Sequence, residues 1–385
     1  MNEIFTFERL YQAYLDCRKT KRKTINALKF EWNLERNLFL LQKELEAKKY
    51  RSGRSICFVV KEPSPREIFA ACFKDRVVHH LLVREVETMG EKSFIFASFA
   101  CRENKGTHLA VKKLKIFVRK AAGNYRKEGF CLQLDILGFF MAIDHNILYS
   151  LFEKLVLKQN KSYQWKKDVL WLAKIIIFHK PTSDYIIKGN LSLFELIPPR
   201  KSLFDSPKGK GLPIGNYSSQ FFANIYLNQL DQFIKRELKC KYYVRYVDDF
   251  ILIDENKEKL KDLEDKINLF LKRKLDIELN LNKTKLQPIN KGIDFLGYFI
   301  KPTYILVRQR VVERLKKKLM FLVKLDNINK KEIKNILAMI NSYYGHFCHA
   351  SSFNLRRNIY DKHLGELKKN FIPKKDYTSL KLLTP

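Results

Sequence analysis

Apolar residues recur at helical spacing through the first fifty positions. Leu28, Phe30, Leu34, Leu38, Leu41 and Leu45 make an apolar stripe with charges between them, so residues 1–50 read as helical. Ile56–Lys61 is a short run of β-formers, which Pro63 and Pro65 then break. From Arg66 to Met89 the helical period returns, with Phe69, Phe73, Val77, Leu81 and Val86 on its buried side. Residues 108–122 predict a basic helix. Cys131–Ile136, an apolar run with an acid near its end, predicts a core strand. Residues 155–210 are less regular: a Lys-flanked helix over Asp168–His179, then a Pro- and Ser-punctuated loop from Pro181 to Pro207, its role left open. Residues 218–236 predict a helix, Lys241–Ile253 a strand, a turn and a strand, and Lys257–Lys274 a charged helix. Two strand-like pieces follow, near Glu278–Leu286 and Asp294–Ile300. From Gln309 onward the pattern is helical and very basic, and no repeat of fixed period appears.

Composition narrows what such a chain can be. Its 385 residues suggest two or three packed units. A hydrophobic share of 46% excludes global disorder, and 14 Gly with 11 Pro exclude a linker-like or fibrous chain. Lys and Arg number 74 against 41 Asp and Glu, a net charge of +33. The basic residues run from Arg18 to Lys381, so the whole surface, and no mere tail, calls for a polyanionic partner, nucleic acid first. The most apolar stretch, Val169 to Phe178, is short and broken by Lys174, and Met1 to Lys23 lacks a signal-peptide core. The expectation is a cytoplasmic protein that binds no membrane. Seven scattered cysteines without a CxxC support neither a disulfide framework nor a zinc ribbon, and fit a reducing compartment. His346, Cys348 and His349 lie close together without a second ligand cluster, which favours ordinary packing over a metal site.

Three stretches carry chemistry. In Tyr246-Val247-Asp248-Asp249-Phe250, apolar β-formers flank two adjacent aspartates at a hairpin turn where Asn-Gly or Asp-Gly would be usual. Neighbouring carboxylates repel unless a cation neutralises them, and hard oxygen ligands suit Mg²⁺; the alternative is a solvated acidic turn. In Leu132 to Phe140, Asp135 closes a buried-looking strand, well placed to meet that hairpin or else to cap a following helix. Three acids from two strands could hold two Mg²⁺ ions about 4 Å apart for in-line phosphoryl transfer. The third stretch, Lys210-Gly211-Leu212-Pro213-Ile214-Gly215-Asn216-Tyr217-Ser218-Ser219-Gln220, lets backbone approach a ligand and offers Ser218 or Ser219 as a helix cap; an ordinary loop-to-helix junction reads the same way.

In this order and spacing, Tyr-x-Asp-Asp, the strand-end Asp135 and the Leu-Pro-x-Gly loop resemble a reverse transcriptase. Arg66-Glu67-Ile68, Asp75 to His80, Ser98 to Arg102 and Lys105 to His108 resemble the fingers of prokaryotic members. Asn282-Lys283-Thr284 and Phe295 to Tyr298 resemble later palm motifs, and Tyr344 to Ala350 a thumb, so the likeness spans residues 55 to 360. Where most members have Gln-Gly-x-x-x-Ser-Pro, this chain has Ile214-Gly215-Asn216-Tyr217-Ser218-Ser219-Gln220, similar to the enzymes of diversity-generating retroelements. Those enzymes copy a template-repeat RNA into cDNA with errors at adenines.

The resemblance implies an α+β right-hand polymerase: an N-terminal helical segment over 1–54, fingers over 55–130 with part of 181–212, a palm with an antiparallel sheet over 131–300, and a helical thumb over 301–385. It implies metal binding by Asp135, Asp248, Asp249 and the backbone of Ile136, with two Mg²⁺ ions or Mn²⁺ in their place. Arg66 and the weaker candidate Lys61 would meet the triphosphate. Gly138, Phe139, Phe140, Ile214, Gly215 and Gln220 would line the nucleotide, with Phe140 either the gate against a 2′-hydroxyl or a core residue. Lys283 would protonate pyrophosphate or is simply solvated. Phe295, Leu296, Gly297 and Tyr298 would grip the primer. Arg102, Lys105, Arg308, Arg310, Lys316, Lys317, Arg356 and Arg357 would follow the phosphates of an RNA–DNA hybrid. The partners implied are dNTPs, the template-repeat RNA and a small basic helical accessory protein that forms a pentamer. The expectation is that neither an RNase H nor an endonuclease domain follows the thumb, which would argue against retroviral and full-length intron enzymes. Retron, intron-derived and defence-associated reverse transcriptases, or a non-catalytic RNA-binding protein of polymerase fold, stay as alternatives.

Overall fold

A computed structural model describes residues 3–19, 21–62, 64–124, 126–325 and 328–383. Some of the helices begin where a short polar side chain takes up free backbone N–H groups. Thr6 accepts from Arg9 N ahead of α1 (Phe7–Arg18). After it come α2 (Ile25–Glu31) and α3 (Leu34–Glu46). The break at Trp32-Asn33 divides the expected stripe: Leu38, Leu41 and Leu45 are buried on α3, whereas Leu28, on α2, is exposed.

β1 (Ser55–Val60) pairs antiparallel with β2 (Arg66–Ala70), and α4 (Phe73–Ser93) follows. Arg66–Ala70, expected to be helical, is therefore a strand. Phe69 recurs at a spacing of four before Phe73, but it reaches the core from the strand, and both periods bury it. Next are α5 (Thr107–Ala121), β3 (Phe130–Leu134), the single turn α6 (Phe139–Ala142) and α7 (His145–Leu157), which Asp144 caps through the N–H groups of Asn146 and Ile147. The helix expected from Asp168 begins at Tyr163, because the Ser162 hydroxyl accepts from Trp165 N; it is α8 (Tyr163–Ile177). The loop expected over 181–207 contains β4 (Tyr185–Ile187), paired parallel with β1.

Downstream lie α9 (Tyr217–Gln232), β5 (Tyr242–Tyr246), β6 (Asp249–Asp254), α10 (Lys257–Phe270), β7 (Lys285–Pro288), β8 (Ile293–Phe295), β9 (Tyr298–Ile300) and β10 (Ile305–Val307). The strand expected over Glu278–Leu286 is shorter: Leu279 makes one bridge to Ile136, and regular pairing starts at Lys285. The Asp294–Ile300 piece is a hairpin, Phe295 facing Tyr298. Three helices, α11 (Gln309–Val323), α12 (Lys330–Phe347) and α13 (Phe353–His363), are followed by a hairpin of β11 (Phe371–Pro373) and β12 (Leu380–Leu382), so the chain is not helical to its end.

The sheets run β2-β1-β4, β10-β9-β8, β11-β12 and β5-β6-β3-β7. The chain forms two compact units. One is Met1–Lys105 with Gln133–Ile251 and Lys261–Thr284; the other is Gly106–Leu132 with Leu252–Leu260 and Lys285–Pro385. In the first, Cys57, Phe69, Met141 and Leu203 form a small core against which Phe140 and Ile214 pack. In the second, Leu315, Leu319, Ile340, Tyr344, Phe347 and Ile359 join the three last helices.

Candidate active site

The apolar run of β3 delivers Asp135 to the strand end at 5% exposure. It caps no helix. Its carboxylate accepts from Lys283 Nζ at 2.7 Å and from Asn280 Nδ2 at 3.1 Å, and α6 starts after Gly138 instead. Val247 and Asp248 form the turn between β5 and β6, and Asp249 is the first residue of β6. Val247 has φ +56°, the left-handed region that a β-branched residue adopts at a cost of about 1–3 kcal/mol.

The three carboxylates are within each other's fields. Burial and then the Asp135 charge push the Asp248 carboxyl up to about 6, with Lys283 and Arg245 pulling the other way. Asp249 is pushed up to about 7 by burial, then by Asp248, then by a hydrogen bond to Asp135. Asp249 itself is exposed, so water partly screens the fields of Asp248 and Asp135 on its carboxyl. Burial works against the Lys283 charge, but its bond to Asp135 and the fields of Asp249 and Asp248 outweigh that and raise its pKa. One ammonium thus serves three acids.

Among the described residues no group of three or more His, Cys, Asp or Glu is arranged to hold a metal ion. The chemistry of the donor set nonetheless fits a divalent cation. Burial and the neighbouring acids raise the pKa values of two of the carboxyls, and a divalent cation would supply the positive charge that a single lysine leaves short.

Arg66, half-buried, opens β2, and Lys61 is exposed just past the end of β1. Gly138, at φ +55°, sits so close to the Arg200 carbonyl that a Cβ would stand 2.5 Å from that oxygen. Phe139 is buried, and Phe140 is half-buried against the Cys57 and Phe69 core. The Leu-Pro-x-Gly loop is stitched to β2: Phe69 N donates to the Ile214 carbonyl at 3.0 Å, and Ala71 N to Asn216 Oδ1 at 3.1 Å. Gly215 has φ +121°, and a Cβ there would meet Ile68 at 2.6 Å. Gln220 is exposed on the first turns of α9. Neither Ser218 nor Ser219 caps that helix; Asn216 holds the cap position, and the Ser218 hydroxyl is turned to His79 Nδ1 at 3.2 Å.

In the second unit, Leu296 (φ +52°) and Gly297 (φ +87°) make the two-residue turn between Phe295 and Tyr298, the positive φ pair of a type I′ hairpin. The Tyr298 hydroxyl lies 2.8 Å from the His346 carbonyl and 3.1 Å from His108 Nδ1. Arg308 pairs with Asp294 at 2.8 Å, Arg310 is exposed, and Arg357 is 3.5 Å from Asp361. Lys316 and Lys317 line a cleft of about 390 Å³ with Lys324, Lys362 and His363.

Two expected backbone cations are spent inside the protein. Arg102, its side chain 4% exposed, grips Glu91 at 2.8 Å and the carbonyls of Ile95 and Ser98. Arg356 donates to the carbonyls of Tyr377 and Asp376 and to the Ser352 hydroxyl. Turned inward and held by these acceptors, the two guanidinium groups are poorly placed to reach phosphate. Lys105 stays at the surface, its ammonium 3.4 Å from the centre of the Phe96 ring.

Sequence reasoning missed Asn280, which shares Asp135 with Lys283, and the buried pair Arg245 and Asp231 beneath the Asp248 turn. An arginine inside the apolar run of β5, two residues before the turn, was the signal for the second.

Residues 59–300 match the family described as "Reverse transcriptase (RNA-dependent DNA polymerase)". Protein YkfC of Escherichia coli K12 is 22% identical over 311 residues, 71% of this chain and 74% of that protein. A putative COX1/OXI3 intron 2 protein of Saccharomyces cerevisiae is 35% identical over 69 residues, 18% of this chain and 8% of that one. Solved telomerase structures also align. One, from Candida albicans with a TWJ fragment of telomeric RNA, has 13% identity and a TM-score of 0.47, covering 81% of this chain and 58% of that one. Apo telomerase from Candida tropicalis has 14% identity and a TM-score of 0.47, covering 82% and 54%. The chain spans little more than half the length of these telomerases.

Proposed function

The chain belongs to the reverse transcriptase family, and from that membership we propose that Asp135, Asp248 and Asp249 are the centre at which it adds deoxynucleotides to a primer. It is an RNA-directed DNA polymerase with the α+β right-hand fold, and its homologues bind RNA templates and nucleotides. Members of the family use divalent metal ions. Asp135, Asp248, Asp249 and the Ile136 carbonyl would hold them here. Two bound ions, Mg²⁺ or Mn²⁺, would supply a lower pKa at the attacking 3′-hydroxyl and charge stabilisation at the departing pyrophosphate. The chain's own residues do the rest. The Arg66 fork, with Lys61, receives the triphosphate. Gly138, Phe139 and Phe140 shape the floor under the sugar, and Gly215 and Gln220 border the base. Lys283, kept protonated by three acids, is the proton donor to pyrophosphate. The Phe295–Tyr298 hairpin grips the primer end. The observation that carries this reading is the convergence of Asp135 with the remote pair Asp248 and Asp249, whose carboxyls feel its charge, beside one lysine. Primer extension on a defined RNA with Mg²⁺ tests it: Asp248→Ala with Asp249→Ala should abolish synthesis. A variant that kept its biological role without synthesis would favour a non-catalytic RNA-binding protein.

The finer reading is a diversity-generating enzyme that copies a template-repeat RNA into adenine-mutagenised cDNA, served by a pentameric basic accessory protein. Its support is Ile214. That side chain offers no hydrogen bond, and it packs against the Phe69 and Leu203 core while its backbone carbonyl takes the Phe69 N–H. A nucleotide posed beside an aliphatic wall is less tightly oriented than one beside a glutamine. Ile214→Gln should lower misincorporation opposite adenine; an unchanged error spectrum removes the argument. The match to an intron protein favours an intron-derived relative instead. A neighbouring pair of near-identical DNA repeats differing at adenines decides between them.

A further inference from the structure

Arg245 lies mid-strand in β5 with 1% exposure, and every N–H of its guanidinium has a partner. Nε donates to Asp231 Oδ1 at 2.8 Å, and Nη2 to Asp231 Oδ2 at 2.7 Å and to Ser98 Oγ at 2.9 Å. Nη1 donates to Asn224 Oδ1 at 3.4 Å and to the Val247 carbonyl at 3.0 Å. Asp231, wholly buried, also accepts from the Tyr243 hydroxyl at 2.7 Å. The backbone of Arg245 is fixed as well: its N–H donates to Ala97 O at 2.9 Å, and its carbonyl accepts from Phe99 N at 3.0 Å. Four of these five side-chain bonds stay in the core. The fifth ends on the turn that carries Asp248.

That turn needs a hold. A hairpin with positive φ at its first central residue ordinarily has Gly, Asn or Asp there, and this one has Val247 at φ +56°. A β-branched side chain does not choose this conformation unaided. The carbonyl of Val247 receives a charge-assisted bond from a fork that Asp231 locks from behind. We propose that Arg245 is a positioning residue: anchored by Asp231, it holds Val247 left-handed and so sets the direction in which Asp248 and Asp249 present their carboxylates. A buried ion pair adds little stability over an apolar substitute, so packing alone gives weak reason for it. The inference rests on the reading of Asp248 and Asp249 as catalytic.

The test is primer extension with purified full chain, titrating Mg²⁺ and dNTP, alongside thermal melts. Arg245→Gln should lower kcat about 100-fold, since an ångström-scale misplacement costs that much. It should also raise the Mg²⁺ concentration for half-maximal rate about tenfold, with KM for dNTP little changed. Adding Val247→Gly, which makes the turn conformation free of strain, should recover about tenfold of the rate lost without restoring the melting temperature. Val247→Gly alone sets the reference. Should Arg245→Gln not fold, Asp231→Asn, which keeps the volume but turns an amide donor on the fork, should show the same Mg²⁺ shift and the same rescue. If the glycine recovers nothing, or if rate and Mg²⁺ response stay normal in the variants, Arg245 is core packing only. Synthesis by Asp248→Asn would instead overturn the reading on which this rests.

Discussion

At the scale of single residues the acids explain themselves through charge. Without a bound cation, Asp248 and Asp249 keep their protons up to about pH 6 and 7, whereas in an unfolded chain an aspartate loses its own near 3.9. Between those values the native state binds more protons than the unfolded state, so stability falls as pH rises through that window. The melting temperature of metal-free protein should therefore decline from about pH 4 to about pH 7, and saturating Mg²⁺ should flatten the decline by favouring the ionised pair. Equal slopes with and without Mg²⁺ would mean that no cation meets these carboxylates. Asp135→Asn keeps the shape and the Asn280 contact but weakens the hold on Lys283. A loss of more than about 100-fold in kcat is expected from an electrostatic site of this kind.

At the scale of elements, β2 is tied down close to Arg66, the residue proposed to meet the triphosphate. Arg66 begins it, and the buried carboxylate of Glu67 takes the Leu203 N–H and the Ser202 hydroxyl. Glu67→Ala leaves a buried N–H without its acceptor, at a cost of about 1–3 kcal/mol. Urea titration measures this, and a change below about 0.5 kcal/mol would show the tie to be dispensable. Because β2 carries Arg66, the same variant should raise KM for dNTP. In the second unit α12 starts from a capping box, Asn329 and Glu332 exchanging bonds with each other's backbone. Asn329→Ala should lower stability by about 1 kcal/mol and leave the chemistry untouched.

At the scale of the whole molecule, the +33 charge sets how the chain meets a polyanion. Affinity for an RNA–DNA hybrid should fall steeply with salt, log K declining linearly in log salt. We expect part of that slope to originate in the basic cleft on α11. Lys316→Ala with Lys317→Ala should reduce the slope by about 1–2 and weaken binding alike for unrelated sequences. An unchanged slope would move the contact to other lysines. Arg102 and Arg356, equally cationic in composition, should contribute little of it, because both side chains are buried and held by acceptors inside the protein.

Much of the site was legible because its signals are local. A hairpin of β-formers with two acids at its turn, and an acid closing an apolar strand, can be read from nearest neighbours alone, and both stand where the pattern put them. Most helices were legible for the same reason, since a period of 3.6 with a cap is a property of a few consecutive residues. Arg66–Ala70 was not, because at five residues the two periods bury the same Phe69, and only pairing with Ser55–Val60 made it a strand. Nor could composition say which cations are free. Arg102 and Arg310 look alike in sequence; the first is turned onto Glu91 and the carbonyls of Ile95 and Ser98 by the way the intervening chain folds back, and the second is left in water. The amino-acid order alone determined the family of chemistry, three carboxylates and a basic surface. The tertiary structure decided which partners compensate them, Lys283 and Asn280 for Asp135 and Asp231 for Arg245, because charge acts across space and those residues meet only when the chain is folded.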